Sequence, residues 1–93
     1  EKDVKDALAR RTQGETEWGT PAGSIDVSTK NEVVEVKHYK NWKNGIGQVE
    51  AYGEYYPLHR KRHLFAHEGE KASKYFEMAT KLCAKDGIRV TFE

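Results

Sequence analysis

The segments Gly23-Ser24-Ile25-Asp26-Val27 and Val33-Val34-Glu35-Val36-Lys37 decide the fold of this chain. Apolar and charged residues alternate in both, which is typical of β-strands whose side chains point to opposite faces in turn. The residues between them predict a tight turn. If that turn centres on Lys30-Asn31, the two strands pair so that Asp26 lies directly opposite Glu35.

Two carboxylates that face each other across a strand pair repel. A cation between Asp26 and Glu35 removes that repulsion, and magnesium commonly binds one or two carboxylates together with water. The backbone carbonyl of Val36 could complete such a site. Lys37 shares the face of Glu35 and could orient a water or stabilise developing negative charge. The alternative is an exposed hairpin with salt-bridging charges, and the spacing favours neither interpretation.

The repulsion also has a consequence for stability. If it costs free energy until an ion binds, Asp26→Ala and Glu35→Ala should both raise the melting temperature of the metal-free protein.

A helix from residue 42 or 43 to residue 56 is predicted to follow the hairpin. Gln48 and Tyr52 are four residues apart and therefore share one helix face. They could hold a phosphate or a water near the metal, or Tyr52 could be core and Gln48 solvated. Three glycines lie in this helix, which is more plausible where another element packs very close. They are Gly45, Gly47 and Gly53.

The chain as a whole predicts the element order αβββαβαβ. Three consecutive strands suggest an antiparallel meander, and the later strand-helix-strand segments suggest parallel crossovers. The expected fold class is therefore α/β, a mixed central sheet flanked by helices. The expected helices are 1–12, 42–56 and 68–85, and the expected strands are 15–20, 24–28, 32–39, 60–66 and 88–92. The last helix has an apolar stripe of Ala72, Tyr75, Phe76, Ala79, Leu82 and Cys83.

Length and composition restrict the class of protein. With 93 residues the chain is expected to form one domain, residues 1–93. It has no apolar run of the roughly 20 residues that a membrane span needs, so no membrane partner is expected. Its only cysteine, Cys83, excludes an internal disulfide and fits a reducing compartment. The net charge of +1 means that binding to a polyanion would depend on local basic clusters.

Two basic clusters are candidates for nucleic-acid binding. Lys40 and Lys43 flank Trp42, and Arg60 and Arg62 lie further along the chain. Cations for the phosphate backbone and an aromatic ring for base stacking are what a nucleic-acid groove needs. The alternative is solvated charge at the edges of loops and strands.

The motifs Gly-Ser-Ile-Asp26, Val-Glu35-Val-Lys37 and Gln48-Val-Glu-Ala-Tyr52 resemble the PD-(D/E)XK nuclease superfamily, specifically its RecB-type branch. That branch has a Gly-x-x-Asp strand, a Glu-x-Lys strand and a Gln-x-x-x-Tyr helix. The resemblance implies a restriction-endonuclease-like fold and cleavage of phosphodiester bonds in DNA with Mg²⁺ or Mn²⁺.

The resemblance also implies roles for individual residues. Asp26 and Glu35 would bind the metal with the Val36 carbonyl, and Lys37 would assist the attacking water. Gln48 and Tyr52 would support the geometry of the site. The family's additional glutamate on the first helix corresponds best to Glu1, and Glu17 on the first strand is a rival.

The expected function is thus a magnesium-dependent deoxyribonuclease that acts in repair or recombination. Its partner would be DNA, and the domain would work as a homodimer or within a larger chain. The expected location is intracellular and cytoplasmic, including a nucleoid or viral setting. The alternative is a non-catalytic nucleic-acid-binding module on the same fold.

Overall fold

The computed structural model describes residues 2–21, 23–53, 61–70 and 73–93. Within these residues the elements are α1 (Lys2–Thr12), β1 (Glu15–Thr20), β2 (Gly23–Ser28), β3 (Glu32–His38), a 3-10 helix (Tyr39–Asn41), α2 (Trp42–Gly53), β4 (Lys61–His67), α3 (Ser73–Ala84) and β5 (Ile88–Phe92).

The strands form one five-stranded sheet in the order β1-β2-β3-β4-β5. The pairs β1–β2 and β2–β3 are antiparallel, and the pairs β3–β4 and β4–β5 are parallel. The predicted mixed α/β sheet and the predicted element order are therefore confirmed. This topology places the centre of the sheet at β3, the strand that carries Glu35 and Lys37.

The hairpin that joins β2 to β3 has the predicted register. Val27 pairs with Val34, and Ser28 pairs with Val33. The Thr29 N–H donates to the Glu32 carbonyl at 2.9 Å, and the Thr29 hydroxyl accepts from the Glu32 N–H at 2.9 Å. A threonine that bonds the backbone within its own turn stabilises a short reversal, and here it fixes which residues face each other.

Among the described residues, one element boundary differs from the prediction by more than one residue. Helix α3 begins at Ser73 and not at Glu68, because Glu68 has a φ of 58°, a left-handed conformation that a right-handed helix does not continue through. Helix α2 is described as far as Gly53, and its predicted end at residue 56 lies outside the described residues.

The sheet has an apolar core on each face, because successive strand residues point in opposite directions. Helix α1 covers one face, and α2 and α3 cover the other. On α1 the buried residues are Leu8 and Ala9, whereas Ala7 is exposed. The core under α1 contains Leu8, Ala9, Val27, Val34, Val36 and Phe65. The core under α2 and α3 contains Ile25, Val33, Trp42, Val49, Leu64, Ala79, Cys83 and Ile88.

The predicted apolar stripe of α3 is only partly covered. Ala79 and Cys83 are fully buried, but Tyr75, Phe76 and Leu82 remain 40%, 39% and 48% exposed. Burial raises the pKa of the Cys83 thiol to about 11, so this thiol is inert at neutral pH. In the described part of the chain, every helix is too short or too polar to cross a membrane.

Candidate functional site

Strands β2 and β3 separate just beyond the Val27–Val34 pair. Ile25 packs under α2 and α3 whereas Val27 packs under α1, although alternate residues of a regular strand share a face. Strand β2 therefore twists at Asp26. In place of a regular backbone ladder, the Asp26 Oδ2 atom accepts the Val36 N–H at 2.8 Å. The twist turns the Asp26 carboxylate toward β3, beside the main chain of Val36.

Glu35 is the buried carboxylate of the site, with only 3% of the residue exposed. Burial, and then the charge of Asp26, raise the pKa of Glu35 to about 8. The nearest cation is Lys37, whose Nζ lies 3.7 Å from Glu35 Oε2. Among the described residues, nothing donates a hydrogen bond to Glu35 Oε1. The structure thus brings together Asp26, Glu35 and Lys37, as the hairpin pattern predicts.

Sequence reasoning missed a second cation, Lys5 on α1. Its Nζ lies 2.6 Å from Glu17 Oε1 and 3.3 Å from Asp26 Oδ1. The hydrogen bond to Glu17 raises the pKa of Lys5 against the opposing effect of burial. The signal in the sequence is its spacing from Ala9, because residues four apart share a helix face and Ala9 is buried against the sheet.

Glu17, the rival for the extra glutamate, lies on β1 at the level of Asp26. The pairs Thr16–Val27 and Trp18–Ile25 flank it. Its φ of 55° is a conformation that non-glycine residues adopt at a cost, and such strain concentrates at functional sites. Glu1, the other candidate, lies outside the described residues.

The donor set fits a magnesium ion. Each carboxylate oxygen has a second lone pair, so Asp26 can accept from the Val36 N–H and Lys5 and still bind an ion. Glu35 Oε1 is a buried acceptor in need of a positive partner. In the described part of the chain no three His, Cys, Asp or Glu side chains gather as a metal cluster. Two carboxylates, a carbonyl and waters would therefore form the shell, which magnesium accepts.

One face of helix α2, which carries Gly45, Gln48 and Tyr52, is turned toward this site. Gly45 is so close to β3 and β4 that an added Cβ would meet Leu64 Cδ1 on β4 and lie 3.1 Å from Lys37 Cγ on β3. The Tyr52 hydroxyl would lie 3.1 Å from a Cβ on Gly23, whose φ of 130° also favours glycine. Gln48 lies between Gly45 and Tyr52 on the same face.

Gln48 therefore lies on α2 between Gly45, which approaches Lys37, and Tyr52, which approaches Gly23. Its side-chain Oε1 is buried and accepts no hydrogen bond from the described residues, so Gln48 is not solvated as the alternative interpretation supposed. Tyr52 is half-buried and packs against the core. The close approach expected for the helix glycines holds for Gly45 but is wrong for Gly47, where an added Cβ would meet nothing within 4 Å.

The expected nucleic-acid residues do not form one groove. Trp42 is 3% exposed and packs in the core, so its assignment as a stacking platform is wrong. Lys40 and Lys43 are exposed just beyond the carboxyl end of β3. Arg62 pairs with Val33 near the opposite end of that strand, roughly 16 Å from the end where Lys40 lies. Arg60 lies outside the described residues.

Comparison with known proteins gives three viral relatives. They are KilA-N domain-containing proteins of Acanthamoeba polyphaga mimivirus. One is 43% identical over 61 residues, which are 66% of this chain and 25% of the relative. The others are 43% and 42% identical over 60% and 61% of this chain, and over 15% and 16% of their own lengths. The chain thus spans a quarter or less of each relative.

The remaining comparisons give no match. No family model matches the chain, and no solved structure matches it. The fold and the site therefore stand on the geometry described above.

Proposed function

We propose that this domain hydrolyses phosphodiester bonds in DNA with Mg²⁺ or Mn²⁺, on a restriction-endonuclease-like fold. The observation that carries the proposal is the buried Glu35 beside Asp26, with Oε1 unpartnered among the described residues. A buried carboxylate pair is costly unless a cation compensates it. A pair with Lys37 beside it, where two strands separate, is a suitable arrangement for a metal-dependent phosphodiesterase.

Each residue has a role that its surroundings support. Asp26, Glu35 and the Val36 carbonyl would hold the ion, which supplies an activated water and stabilises the charge that develops on the phosphate. Lys37 has its aliphatic stem held beside Gly45 while 21% of its side chain stays exposed, so its ammonium can donate to a phosphate oxygen or a water. Gln48 would donate from its amide nitrogen.

Further support comes from the fold and the relatives. The mixed sheet carries the three motifs on the elements that the nuclease resemblance requires, namely β2, β3 and α2. The viral relatives are named for a KilA-N domain, a DNA-binding domain family. That name describes whole proteins, and the chain covers at most a quarter of each. DNA is therefore a proposed partner of this chain.

The test is cleavage of supercoiled plasmid DNA with MgCl₂ or MnCl₂. We compare the wild type with Asp26→Asn and Lys37→Met, since methionine keeps the stem that packs beside Gly45. Both variants should cleave at least about 100-fold more slowly, the usual effect of losing a group that stabilises the transition state. Lys30→Met, on the exposed turn of the same hairpin, is the matched control and should cleave at the wild-type rate.

Two results would overturn parts of the proposal. Cleavage that is unchanged in both variants would refute the assignment of the site. If the wild type binds DNA but does not cleave it with either metal, the proposed nuclease activity is refuted. A comparison of linear, nicked, flap and four-way-junction DNA then identifies the preferred substrate.

A non-catalytic nucleic-acid-binding module is the second candidate. It is favoured by the exposed Lys40 and Lys43 beside the site and by the absence, among the described residues, of a three-ligand metal cluster. Here Lys40→Ala and Lys43→Ala would weaken binding in a salt-dependent way while Asp26→Asn would not.

The setting of the domain is also part of the proposal. Its relatives come from a virus. We infer that the domain acts inside a cell, including a cell infected by a virus. The expected homodimer finds no support in the comparisons and is not proposed.

A further inference from the structure

We propose that Lys5 is a built-in second cation, which occupies the position between Glu17 and Asp26 that a second divalent ion would otherwise take. This inference rests on the proposed metal-dependent function. Its consequence is that the domain binds one metal ion, and that removal of the Lys5 charge converts it into a two-ion site.

The geometry of Lys5 is that of a bridging ion. Its ammonium contacts carboxylates from two neighbouring strands, Glu17 Oε1 at 2.6 Å and Asp26 Oδ1 at 3.3 Å. Only 18% of the Lys5 side chain is exposed, and 14% of the Asp26 side chain. A long side chain that is held so closely by two acceptors forms a fixed charge and not a mobile surface group.

Glu17, Asp26 and Glu35 follow one another across β1, β2 and β3, although among the described residues their three carboxylates do not converge on one point. Glu17 lies at the level of Asp26, and Asp26 lies beside Glu35. Two ions that share Asp26 would have the arrangement of two-metal phosphodiesterases, in which the ions are about 4 Å apart. The independent sign of a cation at this row is Glu35, whose side chain is 4% exposed and whose Oε1 has no donor among the described residues.

The balance of charge explains why one ion suffices. In the fully ionised row, Glu17, Asp26 and Glu35 carry three negative charges, and Lys5 and Lys37 carry two positive ones. One divalent ion changes the net charge from −1 to +1, and a second would raise it to +3 in a partly buried site. Without the Lys5 charge the row begins at −2, so one ion neutralises it and a second raises it only to +2.

The strained backbone at Glu17 supports the same interpretation. A φ of 55° within a strand persists where the surrounding contacts hold it. Here the contact is the short bond from the Lys5 ammonium to the Glu17 carboxylate. Residues of α1 and β1 thus hold a positive charge beside Asp26.

The test counts Mn²⁺ ions per chain by isothermal titration, with folding verified by circular dichroism. Wild type should bind one ion, Lys5→Met two, and the double variant Lys5→Met/Glu17→Gln one again. Methionine keeps the stem of Lys5 without its charge. Lys5→Gln, which still donates to both carboxylates, replaces it if the methionine variant does not fold. Lys2→Met, on the exposed face of α1, should bind one ion.

Electron paramagnetic resonance of the same samples gives an independent signature. Two Mn²⁺ ions that share Asp26 are coupled, so the spectrum of Lys5→Met should lose the single-ion pattern of the wild type. One ion in Lys5→Met, or two ions in the wild type, would overturn the inference while leaving the proposed function intact. Absence of any ion in the wild type would refute the proposed metal centre itself, and the inference with it.

Discussion

The two halves of the β2–β3 hairpin differ in what joins the strands. In the half next to the turn, Val27 pairs with Val34 through the backbone, and both side chains are buried under α1. In the other half the strands separate, and the Asp26 side chain takes the Val36 N–H. The closed half is held by apolar burial, which tolerates no charge. The open half contains a carboxylate pair, which the Val36 N–H and the lysines Lys5 and Lys37 compensate in part.

The difference shows how one short sequence can provide stability and chemistry. Valines supply the free energy of burial that a small domain needs. The next residues outward give up regular pairing and leave buried acceptors available.

The largest effect is expected for Val27→Asp. It places a carboxylate in the closed half at a residue that is 0% exposed, between α1 and β3. Burial of an unpaired charge should cost more than about 4 kcal/mol, a large fraction of the stability of a small domain. Circular dichroism should show a chain that is mostly unfolded at 25 °C.

Ser24→Asp is the matched control, because Ser24 lies on the same strand and is exposed. It should melt within a few degrees of the wild type. A folded Val27→Asp protein with an unchanged melting temperature would show that the closed half is not the apolar anchor described here.

A middle-sized effect is expected for Gly45→Ala. Its Cβ would collide with Leu64 and press on Lys37, which should cost about 1–3 kcal/mol, and should also reduce cleavage because Lys37 shifts. Gly47→Ala, two residues along the same helix, meets nothing and should gain up to about 1 kcal/mol from helix propensity. Thermal melts of the two variants should therefore move in opposite directions, and equal shifts would contradict the close contact at Gly45.

The hairpin could be predicted from sequence because its register depends only on residues that are close together in the chain. Alternation fixes the face of Glu35 and Lys37, and the length of the turn fixes the register. The spacing from Ala9 indicates the helix face of Lys5, but the carboxylates that it reaches could not be predicted, because they depend on the angle at which α1 crosses the sheet. The burial of Trp42 was missed for a similar reason, since the 3-10 helix before α2 sets which face that residue presents.

The structure also revises the effect expected for the carboxylate pair. Both alanine substitutions were expected to stabilise the metal-free protein through relief of repulsion. Asp26 has compensating partners, however, in the Val36 N–H and Lys5, so Asp26→Ala should lower the stability by about 1–3 kcal/mol. The relief of repulsion should be seen only at Glu35, whose Oε1 has no donor among the described residues.

The last effect is the dependence of the stability on the ionisation of Glu35. Its pKa of about 8 in the folded protein exceeds the ordinary value of 4.5, so between these values the native state keeps a proton that the unfolded chain has released. The stability of the metal-free wild type should fall as the pH rises through this window. Glu35→Gln removes that loss and should melt higher than the wild type at pH 8.

His63 acts in the opposite direction, because burial lowers its pKa and stability is lost as the pH falls below 6.5. It lies on β4 with Glu32 and Thr91 as partners, and Arg89 also faces it. Since Glu35→Gln retains His63, the difference between the two melting curves at each pH isolates Glu35. That difference should grow from pH 5 to pH 8, and added Mg²⁺ should reduce it because the ion stabilises only the wild type. A difference that is constant with pH would mean that Glu35 is already ionised and compensated without metal. The open half would then be stable without an ion, as the closed half is.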